Sequence, residues 1–303
     1  MDLSKYQLKH KFNRKYLLSL KDVSEEEIAE LICLAREYKY KRLVQEQSPV
    51  LKNKYALLIT KPSYPQTGIT FQIAVRELGG NPVVSALTGE DLETRLADEY
   101  YVKVLSAVGL SAIMISTSKI SDTEIFEKTV NLPVINANTE YSPCQALSAL
   151  LTIFEICHNF NGLKVTIAGN FKVDDNSLLY GLIKLGADVT LLPTLNGEPD
   201  EETVAYCSQF TDLKIIKDKT SALKNAEIVY VGVSEKDDAL TLTANDLALC
   251  NSSVKVLTAV PVDYLVAEKT VFEKDDAPIL KQAENLIHVY KAILTARAGK
   301  KQF

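Results

Sequence analysis

Tyr55-Ala-Leu-Leu-Ile-Thr-Lys-Pro-Ser-Tyr-Pro-Gln-Thr-Gly-Ile-Thr-Phe71 passes from an apolar run through a polar turn into a second apolar pattern. Tyr55–Thr60 reads as a buried strand. Residues 69–80 are apolar at 69, 71, 73, 74, 75 and 78 and end in Gly79-Gly80, the pattern of a helix with a C-terminal stop. Strand, polar loop and helix start is an arrangement that aims free backbone N–H groups at an anion. Lys61, Ser63, Tyr64, Gln66, Thr67 and Gly68 are the candidate ligand contacts here, and Lys61 is the one formal cation in Lys61–Phe71.

The same alternation extends in both directions. Ser24-Glu-Glu-Glu27 is a capping box, and Ile28, Leu31, Ile32 and Ala35 continue one apolar helical face. Downstream, strands are expected at 82–86, 112–116 and 133–136, with helices over 93–109 and 121–129. A polar, turn-rich stretch follows at Asn136–Pro143. The pattern then restarts: a helix over 144–157, a strand at 164–169, a helix over 176–185, a strand at 188–192, a helix over 201–209, and strands at 213–216, 228–233 and 254–259. The last helix is expected from Gln282 to about Arg297. Strands alternating with helices predict an α/β fold of two doubly wound parallel-sheet domains. In such sheets ligands sit outside the carboxyl ends of the strands, which directs attention to the loops after 60, 169, 233 and 259.

Composition narrows the function classes. The 303 residues are enough for two cores, and a net charge of −5 argues against a nucleic-acid or membrane-surface partner, which needs a basic face. The basic opening Lys5–Lys15 reads as a solvated segment. No apolar run approaches the ~18 residues of a membrane span. The five cysteines are scattered without CxxC spacing, which fits reduced thiols in a cytoplasmic protein. The three histidines share no metal-motif spacing, so neither a metal nor a cofactor is expected.

Four segments carry a resemblance: Gln282-Ala-Glu-Asn-Leu-Ile-His288 with Lys291-Ala-Ile-Leu294, Tyr141-Ser-Pro-Cys-Gln-Ala-Leu-Ser-Ala-Leu-Leu-Thr-Ile153, Phe71-Gln-Ile-Ala-Val-Arg-Glu-Leu-Gly-Gly80 and Leu17-Leu-Ser-Leu-Lys-Asp22. In order and spacing they resemble the ornithine carbamoyltransferase family over nearly the whole chain. The resemblance implies a carbamoyl-phosphate-type domain at 1–141 and an amino-acid-binding-type domain at 142–281. It also implies a C-terminal helix, 282–303, that packs back on the first domain, and a homotrimer.

The family's functional residues are another matter. Members use a Ser-Thr-Arg-Thr-Arg loop, where this chain has Ser63-Tyr-Pro-Gln-Thr-Gly68. A later family arginine falls near Ala107, His-Pro-x-Gln has become Ser142-Pro-Cys-Gln145, and the arginine of Gln-Ala-Glu-Asn-Arg is Leu286. On the amine side, Val173 replaces an asparagine in Phe171-Lys-Val-Asp-Asp-Asn-Ser177, Gly232 stands for an aspartate, and Thr258-Ala-Val-Pro261 keeps only the proline of His-Cys-Leu-Pro. Charge-assisted hydrogen bonds contribute about 1.5–3 kcal/mol each, so three lost arginines remove roughly 5–9 kcal/mol if they act independently.

Two readings of each remaining position stay open. Lys61–Phe71 is a structural loop or a site for a weakly charged ligand. Ser142 is a helix cap or, with Gln145, a ligand contact; Cys144 is a packed thiol or a reactive one; His288 is a helix histidine without a visible acid or nucleophile. Asp174, with Asp175, is a solvated loop residue or a contact for a cationic ligand, and Thr258 lines the second-domain cleft. The expected function is a catalytically inactive homologue with a regulatory, subunit-interaction or small-molecule-binding role, assembled alone or with an active relative. The alternative is a transferase with an altered donor and amino-acid acceptor.

Overall fold

The structure is a computed structural model that describes residues 16–61, 65–86, 98–117, 121–137, 142–172, 176–234, 240–258, 264–273 and 277–298. Its first sheet is built around β1 (Tyr55–Thr60), buried at every position after the first. β2 (Asn81–Ala86), β3 (Leu110–Ser116) and β4 (Val134–Asn136) complete the parallel order β2-β1-β3-β4. Connections between parallel strands require crossovers, which α2 (Pro65–Glu77), α3 (Glu99–Ala107) and α4 (Ser121–Thr129) supply. Leu57 and Ile59 of β1, Ile113 and Ile115 of β3 and Val134 of β4 pack with Val102 of α3 and Phe126 of α4. Alternate positions such as Leu58 and Met114 are equally buried, so the inner strands are covered on both faces.

α2 begins earlier than its apolar pattern suggests. Pro65 starts it, so Gln66, Thr67 and Gly68 form its first turn and do not belong to a loop. Proline suits that position because its fixed φ matches the helix and its missing N–H would be unbonded there anyway. The far end closes as the two glycines predict. The Gly80 N–H donates to Val75 O and the Gly79 N–H to Arg76 O, both at 2.9 Å, with Gly79 at φ +75°.

α1 (Glu25–Leu43) is capped by Ser24, whose hydroxyl accepts from the Glu27 N–H. The last helix, α10 (Ala277–Ala298), starts five residues before the sequence expectation, with Pro278 in its first turn. Its later turns are bonded to α1, α2 and the approach to β1. Lys39 Nζ donates to Asn285 Oδ1 at 2.7 Å, Tyr38 and Thr295 share a 2.7 Å hydroxyl contact, and Lys54 Nζ donates to Ala298 O at 2.6 Å. Lys291, 4% exposed, meets Glu77 at 2.8 Å, and Arg42 reaches the same carboxylate at 3.3 Å. The chain forms two compact units, Ser148–Glu284 and the described residues through Leu147 together with those from Asn285 onward.

The second unit carries β5 (Lys164–Gly169), β6 (Asp188–Pro193), β7 (Lys214–Ile215), β8 (Ile228–Val231) and β9 (Lys255–Thr258), all parallel in the order β7-β6-β5-β8-β9. α5 (Pro143–Cys157) precedes β5. The remaining helices are α6 (Ser177–Lys184), α7 (Glu201–Cys207), α8 (Lys219–Leu223) and α9 (Thr270–Glu273). β8 stops two residues short of the expected 233 because the chain turns across β5. There the Gly232 N–H donates to Ala168 O, and Val233 O accepts from Asn170, both at 2.8 Å. Gly169 permits this crossing, since a Cβ there would lie 3.1 Å from Val233 O. Among the described residues no helix is long and apolar enough to cross a membrane, and all five cysteines are free thiols.

The Lys291–Glu77 pair yields an asymmetric prediction. Glu77→Gln leaves a buried ammonium without its carboxylate and should cost about 1–3 kcal/mol, below the full burial penalty because Glu77 itself is partly exposed. Lys291→Met leaves Glu77 with Arg42 and should cost less than about 1 kcal/mol. Urea unfolding of both variants checks the order, and equal losses would refute it.

Candidate functional site

In the first sheet the chain reverses its direction of winding between β1 and β3, because β2 lies on one side of β1 and β3 on the other. Such a switch point opens a crevice at the carboxyl ends of the strands. β1 and β3 end level, with Thr60 opposite Ser116, and Ile115 lies opposite Asn136 of β4. The Lys61 N–H donates to Ser116 O at 3.3 Å and the Ala137 N–H to Ile115 O at 2.8 Å, holding the rim together.

Two helix starts meet this rim. The first turn of α2 brings Gln66, half-buried, and Thr67 and Gly68, both buried, with no acidic residue among them. A Cβ placed on Gly68 would meet nothing within 4 Å, so the helix faces open space there. At α5, Ser142 O accepts from the Ala146 N–H at 2.9 Å, and the Cys144 thiol donates to Asn136 O at 3.2 Å, seating the helix on the end of β4. Gln145 is half-buried in the same turn. Ser142 thus occupies the cap position through its backbone, while its hydroxyl has no hydrogen-bond partner among the described residues.

Tyr290 of α10 is fully buried beside Thr67 and Cys144. Burial pushes its phenol well above the usual tyrosine range, the neighbouring Cys144 adds to the rise, and Thr67 offsets part of it. The phenol oxygen faces Thr67 without a well-formed hydrogen bond. The Ser116 hydroxyl, fully buried at the end of β3, also has no partner among the described residues. Buried hydroxyls left this way cost about 1–3 kcal/mol each. Among the described residues the site is therefore a rim of hydroxyl and amide groups with Lys61, around a helix N-terminus.

Six of the sequence-chosen residues gather at this sheet end: Lys61, Gln66, Thr67, Gly68, Ser142 and Gln145. Thr258 belongs to the other unit, fully buried at the end of β9, and its hydroxyl donates to Val231 O at 2.9 Å. Ser63, Tyr64 and Asp174 lie outside the described residues, as do Asp175 and Val173. His288 is fully buried in α10. Ser116 and Tyr290 were not singled out from sequence as ligand contacts. Ser116 was legible as the polar terminus of an apolar run, whereas Tyr290 reads only as part of a helix's apolar face.

One assignment needs correcting. Ala107 ends α3 just before β3 begins at Leu110, so it stands at the amino end of that strand. The rim lies about 20 Å away at the strand's ~3.3 Å per residue. The end of β3 that is level with the α2 side of the sheet carries Ser116-Thr117.

The described arginines are all elsewhere. Arg36 is exposed on α1, Arg42 pairs with Glu77, Arg76 is in the last turn of α2, and Arg297 pairs with Glu27 at 3.8 Å. Arg14 and Arg95 lie outside the described residues. Among the described residues no group of three or more His, Cys, Asp or Glu could hold a metal ion.

At the corresponding end of the second sheet several described polar groups serve local structure, while Asn176 Oδ1 is buried without a hydrogen-bond partner among the described residues. Asn170 Oδ1 accepts from the Lys172 N–H at 3.0 Å, and Asn176 Nδ2 donates to Phe171 O at 3.2 Å. Tyr180 and Thr203 share a 3.2 Å hydroxyl contact.

Residues 15–155 match the model of the carbamoyl-P binding domain of aspartate/ornithine carbamoyltransferases, and residues 161–296 match that of the Asp/Orn binding domain. An ornithine carbamoyltransferase of Bacillus subtilis is 30% identical over 308 residues, spanning 93% of each chain. One from Nostoc punctiforme is 30% identical over 310 residues, 93% of this chain and 97% of that protein. Among solved structures, an ornithine carbamoyltransferase from Pyrococcus furiosus superposes with a TM-score of 0.85 at 25% identity, covering 94% of this chain and 97% of that one. An aspartate transcarbamoylase from Trypanosoma cruzi, solved with carbamoyl aspartate and phosphate, has a TM-score of 0.82 over 95% and 96% of the two chains. At 18% identity that last likeness is one of fold alone.

Tyr290 predicts an alkaline signature. An unfolded tyrosine ionises near pH 10, roughly, while the buried phenol keeps its proton. The stability it allows is whole below about pH 10 and is lost as pH rises toward the folded value. Tyr290→Phe should therefore flatten the fall in urea midpoint above about pH 10. At neutral pH it should leave stability unchanged or raise it by up to about 1 kcal/mol, because it removes a buried hydroxyl without a partner. Identical alkaline slopes in the two proteins would refute the assignment.

Proposed function

Because the chain belongs to the aspartate/ornithine carbamoyltransferase family, we propose that it is a member that keeps the frame and lacks the catalysis. Its role is regulation, subunit interaction or ligand binding. One observation carries this reading: the described rim at the ends of β1, β3 and β4 holds hydroxyls, amides and Lys61, and none of the described arginines. Carbamoyl transfer needs a doubly charged phosphate held and its developing charge stabilised, a task suited to forked guanidinium groups. Lys61 supplies a single flexible point charge, which recovers part of one such contact. Tyr290, held protonated by burial, offers no base at neutral pH. Asn176 on the amine side is tied to Phe171 O.

A second reading, a transferase with an altered donor and acceptor, draws on the unpartnered hydroxyls of Ser116, Ser142 and Tyr290. They suit a ligand group that is polar and uncharged. A cytoplasmic setting is part of the proposal and rests on the scattered free thiols.

Citrulline formation from carbamoyl phosphate and ornithine, assayed with purified protein, should be undetectable. Turnover in the ordinary range of about 1–10³ s⁻¹ would reject the non-catalytic reading. Gln66→Arg combined with Gly68→Arg should restore phosphate binding by calorimetry without restoring citrulline, since the open space beside Gly68 admits a side chain and the amine-side residues are still missing.

Assembly belongs to the same proposal: a homotrimer through first-unit surfaces, or a trimer mixed with an active relative. Supporting it, β2 shows little burial on either face, and α3 carries Tyr100 (77% exposed) and Val104, followed by Val108 (64%) at its C-cap. An apolar stripe at that spacing is characteristic of a contact surface. Light scattering at micromolar concentration should give three times the chain mass, and Val104→Asp with Tyr100→Asp should dissociate it. A monomeric wild-type chain would overturn this part.

A further inference from the structure

Three buried hydroxyls at the strand-end rim have no hydrogen-bond partner among the described residues: those of Ser116 at the end of β3, Ser142 at the start of α5 and Tyr290 of α10. We propose that they and the first turn of α2 hold the carboxamide group of a small uncharged metabolite, with Ser116 as the residue that sets this preference. The inference rests on the reading that the rim keeps a ligand site without carbamoyl transfer, and it names the class of ligand.

The hydroxyls are gathered on one side of the sheet. Ile113 and Ile115 of β3 pack with Val102 of α3 and Phe126 of α4. Strand alternation turns Ser116 to the opposite face, and right-handed crossovers leaving β1 and β3 in opposite directions put α2 on that face. Ser116 stands opposite Thr60, the last residue of β1 before the chain turns toward α2. Tyr290 lies beside Thr67 of α2 and Cys144 of α5. The Cys144 thiol meets Asn136 O, and Asn136 stands opposite Ile115, the neighbour of Ser116. An unbroken chain of contacts therefore links the end of β3 to both helix starts. Gly68, where a Cβ would meet nothing within 4 Å, leaves open space in the same turn as Thr67.

A hydroxyl both donates and accepts, and a carboxamide does the same through its NH2 group and its carbonyl oxygen. One such group can accept from one hydroxyl and donate to another. Its oxygen suits a helix first turn, whose N–H groups have no intrahelical acceptor and which carries about half a positive charge. Gln66 and Gln145, half-buried in the first turns of α2 and α5, bring two further amides, and amides pair with one another through complementary N–H and C=O groups. Ser116 and Tyr290 are fully buried, so a group bonded to them leaves water. A carboxylate loses far more hydration in that step than an amide, and it brings no donor for a hydroxyl oxygen. A ketone lacks the donor as well.

Burial holds the Tyr290 phenol protonated at neutral pH, so it meets a ligand without adding charge. Ser116→Ala deletes a buried polar atom that has no partner, and it should therefore keep the fold at no cost in stability. That variant separates loss of binding from loss of folding.

The test titrates the full chain with acetamide, acetate and acetone, probes of nearly one shape, at constant ionic strength and follows them by saturation-transfer NMR. Saturable binding of acetamide is expected, with acetate and acetone each weaker by about fivefold or more. Ser116→Ala should weaken acetamide binding about threefold or more and narrow its advantage over acetone, with a urea midpoint equal to or above that of the unmodified chain. Arg76→Gln, in the last turn of α2, should leave binding unchanged. No saturable binding of acetamide, equal binding of acetate or acetone, an unaffected Ser116→Ala variant, or loss of binding in Arg76→Gln would each overturn the proposal. The citrulline assay keeps the two readings apart. A chain that makes no citrulline and does not bind acetamide loses this inference alone, whereas citrulline formation rejects the non-catalytic reading on which it rests.

Discussion

The pairing of β1 with β2 on one side and β3 on the other fixes more of this molecule than any other constraint. Parallel neighbours on both edges oblige the chain to cross over in opposite directions, and each crossover helix starts near a strand's carboxyl end. The α2 start, the end of β3 and the α5 start are thereby brought to one place whatever side chains they carry. The site's position is a property of topology; its chemistry is a property of a few residues. Here the topology matches carbamoyltransferases across both units, while the described part of the rim carries hydroxyls, amides and Lys61.

A crevice edged by serine, threonine and glutamine holds different ligands from one edged by guanidinium groups. A helix N-terminus contributes about half a positive charge, enough to orient a dipole or assist a weak anion. A phosphate dianion needs more. The buried hydroxyls of Ser116 and Tyr290 add a desolvation cost that a neutral polar group could relieve and an apolar one could not.

How much of this was legible in the sequence depends on the range of the interactions involved. The apolar period of β1, the two glycines closing α2 and the Ser24 cap are local, and the structure repeats them. The start of α2 was misplaced because Gln66, Thr67 and Gly68 look like turn residues, and Pro65 alone signals that the helix has already begun. α10 was shortened for the same reason at Pro278. The resemblance set a family arginine near Ala107, and a match along the chain cannot say at which end of a strand a residue stands. Tyr290 acquires its meaning only through Thr67 and Cys144, which approach it from other helices, and no local pattern announces such a meeting.

The late turns of α10 have a consequence for how the protein is made. The first unit is interrupted: its core draws on Leu286, Tyr290, Ile293 and Leu294, all buried, and those residues follow the whole of the second unit. During synthesis at about 5–20 residues per second, the ribosome takes on the order of ten seconds to traverse Ser148–Glu284. For that time α1, α2 and β1 have been made but lack the helix that covers them. The second unit, contiguous in the chain, can close first although it is translated later. A chain that stops before Asn285 lacks Leu286, Tyr290, Ile293 and Leu294, and the apolar surface they cover is left without that partner.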